Sequence, residues 1–350
     1  MGMRAVGTAR RRWAAAVMAT VGALGPFGGP AAAADKNGSG VNCKEDPQAL
    51  RRAITSAAPG ATLRVKGTCV GPITLAHDLT LIGQGHAVLD GDHVGSTVTV
   101  TDAARVRLSS LTITDGTAVA GGGISNTGDS TVTLDHTTVR FNTATSGTTG
   151  GGGIYNDGGT VTLNDSTVGN NTAASGLDGT AVSGGGGIYN DGGTVTLNNS
   201  TVDNNTATTG NGTASNGGGI FSKGTLALNH STVDENTATY AAGIFVVEGT
   251  ARLDKSTVRN NTADASGGGV YNAGTTTLDQ STVDENTATD GGGIFNQGTM
   301  QLNDSTVERN TAANSGGGIS NAGGTVTLND STVRDNRPDD CTGGVPGCTT

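Results

Sequence analysis

One unit recurs from Gly121 to Asn336, and the spacing of its Leu, Val and Asn never slips. The copy at 151–173 reads Gly-Gly-Gly-Ile154-Tyr155-Asn156, Thr-Val-Thr-Leu163-Asn164, Ser166-Thr167-Val168, Asn171-Thr172-Ala173. Aligned copies give columns. The first is Ile124, Ile154, Ile188, Ile220, Ile244, Val270, Ile294 and Ile319; the second is Leu134, Leu163, Leu197, Leu228, Leu253, Leu278, Leu302 and Leu328. Each Leu stands five residues before a Val (Val139, Val168, Val202, Val233, Val258, Val283, Val307, Val333). Each Val stands three residues before an Asn (Asn142, Asn171, Asn205, Asn236, Asn261, Asn286, Asn310, Asn336). A fixed period of this kind is the signature of a repeat architecture. With 60 Gly in 350 residues and 33% hydrophobic residues, composition alone would suit disorder. A disordered tract has no reason to keep such columns. Collagen is excluded, because Gly shows no every-third period and Pro numbers only 7.

The basal period is 24–25 residues, seen as Val233, Val258, Val283, Val307, and each period holds three short strand-like runs. That suits one turn of a three-faced solenoid in which every strand pairs with its copy one rung on, about 4.8 Å away. The expected fold is all-β: a right-handed parallel β-helix of about 10–11 rungs, with a short N-terminal capping helix and a length of roughly 50 Å. Ile, Leu and Val would fill the core, one column from each face. The Asn column would stack amide on amide, each donating one way and accepting the other. The Asn/Asp column after Leu (Asp135, Asn164, Asn198, Asn229, Asp254, Asp279, Asn303, Asn329) reads as structural in the same way.

Five segments are expected. Residues 1–34 read as an export signal: Arg4 and Arg10-Arg11-Arg12 precede an Ala-rich run, and Ala32-Ala33-Ala34 offers a cleavage site. Arg10-Arg11-Arg12-Trp13 also faintly resembles a twin-arginine leader. Residues 35–60 form an N-terminal cap with a helix over 46–57, started by Asp46 and Pro47 and stopped by Pro59-Gly60. Irregular lead-in rungs occupy 61–120, regular rungs 121–336, and a Cys-containing cap 337–350, where Pro338 and the tail would cover the open edge. In an exported chain the default pairing of the four cysteines is local, Cys43 with Cys69 and Cys341 with Cys348.

Two stretches carry family resemblances. Ala58-Pro59-Gly60-Ala61-Thr62-Leu63-Arg64-Val65 and Leu79-Thr80-Leu81-Ile82-Gly83-Gln84-Gly85 resemble the entry to the pectin-lyase-like right-handed β-helix. Gly-Gly-Gly-Ile154 with Val168-x-x-Asn171, and most other rungs, resemble the repeats of the chlamydial polymorphic membrane proteins, with Gly for Ala and Val for Phe. The first resemblance implies a fold and, as an alternative function, an extracellular polysaccharide lyase or glycoside hydrolase. The second implies adhesion, without that family's autotransporter barrel.

Direct signs of chemistry are few. Asp234-Glu235, Arg259, Asp284-Glu285, Glu308-Arg309 and Arg334-Asp335 follow the repeat Val. They could form a carboxylate site, but read more simply as a solvated ladder of exposed ion pairs. The five His (His77, His86, His93, His136, His230) show no metal spacing, and no phosphate-binding loop or nonapeptide calcium repeat is present. No catalytic residue, metal or cofactor is therefore assigned. The Thr-x-Thr pairs at Thr160/Thr162, Thr194/Thr196 and Thr325/Thr327 would suit an ice-binding array, but the pattern breaks at Thr225-Leu-Ala and Met300-Gln301. Without the four leader arginines, 16 basic and 30 acidic residues leave a net charge of −14, which disfavours nucleic acid and anionic membrane.

The remaining signal is aromatic. The residue after each repeat Ile reads Ser125, Tyr155, Tyr189, Phe221, Phe245, Tyr271, Phe295, Ser320, so six of nine Phe and Tyr residues share one column on consecutive rungs. Strand alternation would turn it outward if Ile points in. The corner leading into it holds the longest insertions, at about 143–150, 172–184 and 206–217. Tyr155, Tyr189, Phe221, Phe245, Tyr271 and Phe295 are accordingly the candidate ligand face of a secreted, monomeric, non-catalytic, adhesin-like protein. Its partner is expected to be a polysaccharide or a cell-surface protein, and no membrane span is expected in the mature chain.

Overall fold

The computed structural model describes residues 39–145, 149–175, 184–209 and 214–348; the leader expected at 1–34 lies outside them. It is an all-β parallel β-helix with one short helix. Three sheets of 20, 11 and 8 strands run along it. The eleven-stranded sheet contributes one strand per turn, so there are about 11 turns. We call the three the Leu/Val, Ile and Ala sheets after their inward residues.

Pairing is parallel and in register. Ile154 pairs with Ile188, Leu163 with Leu197, Val168 with Val202 and Ala173 with Ala207. Like therefore stacks on like, and the Ile, Leu and Val columns form one continuous buried core. The Leu and Val runs belong to a single sheet folded at one residue per rung. That residue is His136, Asp165, Asn199, His230, Lys255, Gln280, Asp304 or Asp330, with φ between 46° and 51°. A second left-handed column (Phe141, Asn170, Asn204, Glu235, Asn260, Glu285, Arg309, Asp335; φ 52–57°) turns the chain into the Ala sheet. Such a conformation is uncommon for non-Gly residues, and Asn and Asp tolerate it best. His136 and His230 are thus corner residues. The third corner needs glycine twice over: Gly151 has φ 71°, and a Cβ on Gly153 would lie 2.7 Å from the Gly187 carbonyl oxygen and 2.9 Å from Asn171 Nδ2.

The Asn column is buried and bonded as expected. Asn261 Nδ2 donates to Asn286 Oδ1 (2.9 Å), to Val233 O (3.1 Å) and to Arg259 O (2.8 Å). Asn261 Oδ1 accepts from both the backbone N and Nδ2 of Asn236, each at 3.0 Å. The column after Leu runs the opposite way, Asn198 donating to Asn164 and Asn164 to Asp135. Two further ladders escaped the sequence reading. Asn126, Asn156 and Asn190, the third residues of the Ile strands, form a buried amide chain ending on Ser222 Oγ. Ser166, Ser200, Ser231, Ser256, Ser281 and Ser305 accept a backbone N–H from the previous rung.

The ends depart in detail from expectation. Helix α1 spans Ala49–Ser56, not 46–57. Gln48 holds the N-cap position and gives no side-chain cap. Asp46 instead accepts Gln48 N at 2.9 Å in a turn just before it, because Pro47 follows it and the chain has not yet entered the helix. Leu50 and Ile54 are buried at the foot of the core, and strand β1 (Ser39–Asn42) pairs with β2 (Ala61–Val70). At the other end, Asp340 Oδ1 accepts from the backbone N and Nδ2 of Asn336, taking the place of the next Asn. Cys341–Thr342 pairs with Ile319–Ser320, so the tail covers the Ile sheet. The last Leu/Val strands, 325–329 and 332–334, pair on one side only among the described residues. Disulfides join Cys43 to Cys69 and Cys341 to Cys348, the local pairing expected.

Two outcomes follow from these bonds. Asn261→Ala leaves the buried Asn236 N–H without its acceptor and breaks the amide ladder, so the denaturant midpoint should fall by the equivalent of about 1–3 kcal/mol; a change under a few tenths would mean that the amides are not stacked in solution. Non-reducing peptide mapping should recover Cys43–Cys69 and Cys341–Cys348, and a Cys43–Cys341 link would contradict the coil.

Candidate functional site

The Ile strands hold their side chains in strict alternation. In Ile154–Asp157 the Ile and Asn156 are buried, while Tyr155 is partly exposed and Asp157 exposed. The aromatic column therefore stands on the outer face of the Ile sheet, one ring per rung. Neighbouring rings touch throughout: Tyr155 to Tyr189 at 5.7 Å, Tyr189 to Phe221 at 4.6 Å, Phe221 to Phe245 at 5.3 Å, Phe245 to Tyr271 at 4.7 Å and Tyr271 to Phe295 at 4.9 Å. The backbone sits close beneath. A Cβ on Gly217, Gly267 or Gly291 would lie within 2.9–3.0 Å of the Cβ of Phe221, Tyr271 or Phe295.

Exposure along the column is uneven. Tyr189 and Phe221 are buried, at 3% and 7%, whereas Tyr155, Phe245, Tyr271 and Phe295 are partly exposed. An evenly exposed stripe is therefore corrected at Tyr189 and Phe221. These two rings lie nearly parallel, 15° apart, so each covers a face of the other. Lys223 covers them further, its Nζ lying 5.4 Å from the Tyr189 centroid and 5.9 Å from that of Phe221. Phe245 differs: it stands at 89° to Phe221 and 67° to Tyr271, so it is stacked face to face on neither neighbour.

A second outward column runs beside the rings: Asp157, Asp191, Lys223, Val247, Ala273, Gln297. Lys223 Nζ reaches back to Asp191 Oδ1 at 3.2 Å. Burial works against the charged lysine, but its bonds to Tyr189 and Asp191 outweigh that, and its pKa is raised. Burial, then the charges of Asp157 and Asp191, push the Tyr155 phenol up to about 12. Burial also raises Tyr189 and, with Tyr240 nearby, Tyr271. The face thus grades from charged at Asp157, Asp191 and Lys223 to apolar around Phe245, Val247, Tyr271 and Ala273. The sequence showed the ring column but not this neighbour; two-residue alternation from each ring would have found it.

The charged column after Val does not gather into a cleft. Arg259 pairs with Asp234 at 2.9 Å, Arg309 with Asp284 at 2.5 Å and with Glu308 at 2.6 Å, and Arg334 with Glu308. The arginines are about half exposed, so water and salt screen these pairs and they contribute little to stability. This is the ion-pair ladder, with Asp234, Asp284 and Glu308 each facing an arginine. Among the described residues no group of three or more His, Cys, Asp and Glu is placed to hold a metal, and no helix is long and apolar enough to cross a membrane.

No model of a known protein family matches the chain, and no curated protein does. Among solved structures, a crystal structure of pectate lyase Pel9A is similar at 14% identity and a TM-score of 0.43, covering 85% of this chain and 75% of that one.

The raised phenols fix a pH response. A group whose folded pKa exceeds its unfolded value contributes stability that is intact below the unfolded pKa and lost as pH rises through the folded one. For Tyr155 that window opens at 10.0 and closes at about 12. Stability should therefore fall across this window, and the ultraviolet phenolate titration should show a late component that Tyr155→Phe reduces. Complete ionisation of every tyrosine by pH 11 would contradict the packing described.

Proposed function

We propose that this is an exported, non-catalytic binding protein that holds a polysaccharide against the outer face of its Ile sheet. The observation that carries the reading is Phe245: a partly exposed ring on an otherwise self-stacked column, set across both neighbours and stacked flat on neither. Sugar rings present C–H faces that pack on such a surface, and rigid aromatic rings give contact area at low entropic cost. Tyr155, Tyr271 and Phe295 extend the surface along the coil, and the buried pair Tyr189 and Phe221 acts as the backing that fixes their spacing. Val247 and Ala273 leave the apolar side unobstructed by charge.

Export is supported by the two disulfides, which persist in oxidising compartments. The basic, Ala-rich leader and the resemblance of the rungs to polymorphic membrane protein repeats point the same way. The ion-paired carboxylates favour binding over sugar-cleaving chemistry, because each would have to shed its arginine first.

The test is a glycan array with the mature protein, run beside reducing-end and unsaturated-product assays. A defined glycan should bind without being cleaved, and Phe245→Ser should weaken that binding about tenfold or more, the scale of one aromatic hot spot, with little change in melting. Capture of a protein in place of any glycan, or release of sugar product, would overturn the reading.

A further inference from the structure

The outer side of the Ala sheet carries a different surface. Its strands read Thr-Ala-x, with the Ala buried and Thr206, Thr237 and Thr262 outward and in register. Two residues on, the outward column reads Thr208, Thr239, Asp264, Thr289: hydroxyls interrupted by one carboxylate. The interruption coincides with a break in pairing. Thr237 pairs with Thr262 and Ala238 with Ala263, but Tyr240 pairs with Ser266, so strand 262–266 holds one residue more than its neighbour. A bulge of this kind re-aims the side chain it carries, and Asp264 is exposed at it.

The chain rejoins the stacked rungs at Ser215 and Asn216. Ser215 is buried; its Oγ accepts Thr239 N at 2.9 Å and shares a hydrogen bond with Thr239 Oγ1 at 3.0 Å. Asn216 then bridges Gly184 on one rung and Tyr240 on the other. Beside Ser215 lies a hollow of about 200 Å³, lined by Thr206, Thr208, Ser215, Thr237, Thr239 and Asp264. It lies on the corner that carries the insertions, the side that solenoids commonly use for binding.

We propose that this hollow is a subsite for a single neutral sugar ring, with Asp264 accepting from two adjacent ring hydroxyls. The lining is hydroxyl and methyl throughout except for one acceptor-only carboxylate, which matches a vicinal diol on a ring with apolar C–H edges. A uronate would set its own charge against Asp264, so the site selects uncharged sugars. Tyr240 joins the hollow to the aromatic face, its ring lying 6.5 Å from that of Tyr271. The proposal rests on the polysaccharide reading and names the sugar class that it takes.

The experiment uses the mature chain and two probe sets, followed by saturation-transfer NMR and calorimetry: glucose, galactose, mannose, xylose and N-acetylglucosamine against glucuronate and galacturonate. At least one neutral sugar should bind in the millimolar range, and neither uronate should bind more tightly. Asp264→Asn should weaken binding about tenfold, the scale of a lost charged hydrogen bond, with an unchanged melt; Thr239→Val should weaken it less. Phe245→Ser should reduce glycan binding on the array, and the monosaccharide signal that Asp264→Asn removes is the one that reports the hollow. No binding of any neutral sugar, a preference for uronates, or indifference to Asp264→Asn would each overturn the subsite. An array signal that Phe245→Ser abolishes would still uphold the aromatic face in those cases, so the two readings fail separately.

Discussion

Every other feature of this coil depends on the buried asparagine ladder at the corner between the Leu/Val and Ala sheets. Stacked strands bond their own backbones, but a corner breaks the strand and leaves N–H and C=O groups inside a narrow core, where an orphan costs about 1–3 kcal/mol. Each Asn answers several at once. Its carbonyl takes the backbone N–H and the amide of the rung before, and its own amide closes carbonyls within and behind its rung. Because donor and acceptor sit on the same side chain, the chain of bonds is self-propagating and works only if every rung keeps the residue. The terminal carboxylate of Asp340 supplies the acceptor that a further Asn would have offered.

That constraint explains what the sequence made legible. Ile, Leu, Val and Asn columns persist because each lies on its own copy, so their spacing reported both the rung length and the residues of the core. What was hidden is what varies within a column or is held by bonds too local to leave a period. His136 and His230 share a corner with Asp165 and Gln280, because any residue that can reach the left-handed region serves there. The serine ladder acts through Oγ accepting a backbone N–H, a role that the motif Ser-Thr-Val does not announce. Asp46 carried an N-cap signal, yet the helix begins later, since Pro47 sits in the preceding turn.

The aromatic face was half legible for a related reason. Alternation placed six rings outward, and the structure has them on that side of the Ile strands. Exposure was not readable, because it depends on neighbours in the third dimension: the tilt of each ring, and a lysine that folds back one rung. Tyr189 and Phe221 lie flat on one another under Lys223, whereas Phe245 turns across the stack. Rings 4.6–5.7 Å apart satisfy one another, which is how a hydrophobic column persists on an outer surface without unfolding the coil.

A solenoid so fully determined by repetition has little freedom for function inside a rung. Core positions are fixed by stacking, corner positions by backbone conformation, and the amide and hydroxyl ladders by the bonds they pass on. Change is tolerated on outward positions and at the third corner, where the chain passes from the Ala to the Ile sheet. The exceptions to the repeat at that corner are the residues between Thr209 and Asn216, the extra residue beside Asp264, and Tyr240 where the sheets meet. In a chain whose copies otherwise share their columns, departures that cluster on one corner are the positions that stacking leaves free to vary. The regular rungs hold those departures at fixed spacing, so a ligand that itself repeats, as a glycan does, can meet several of them in succession.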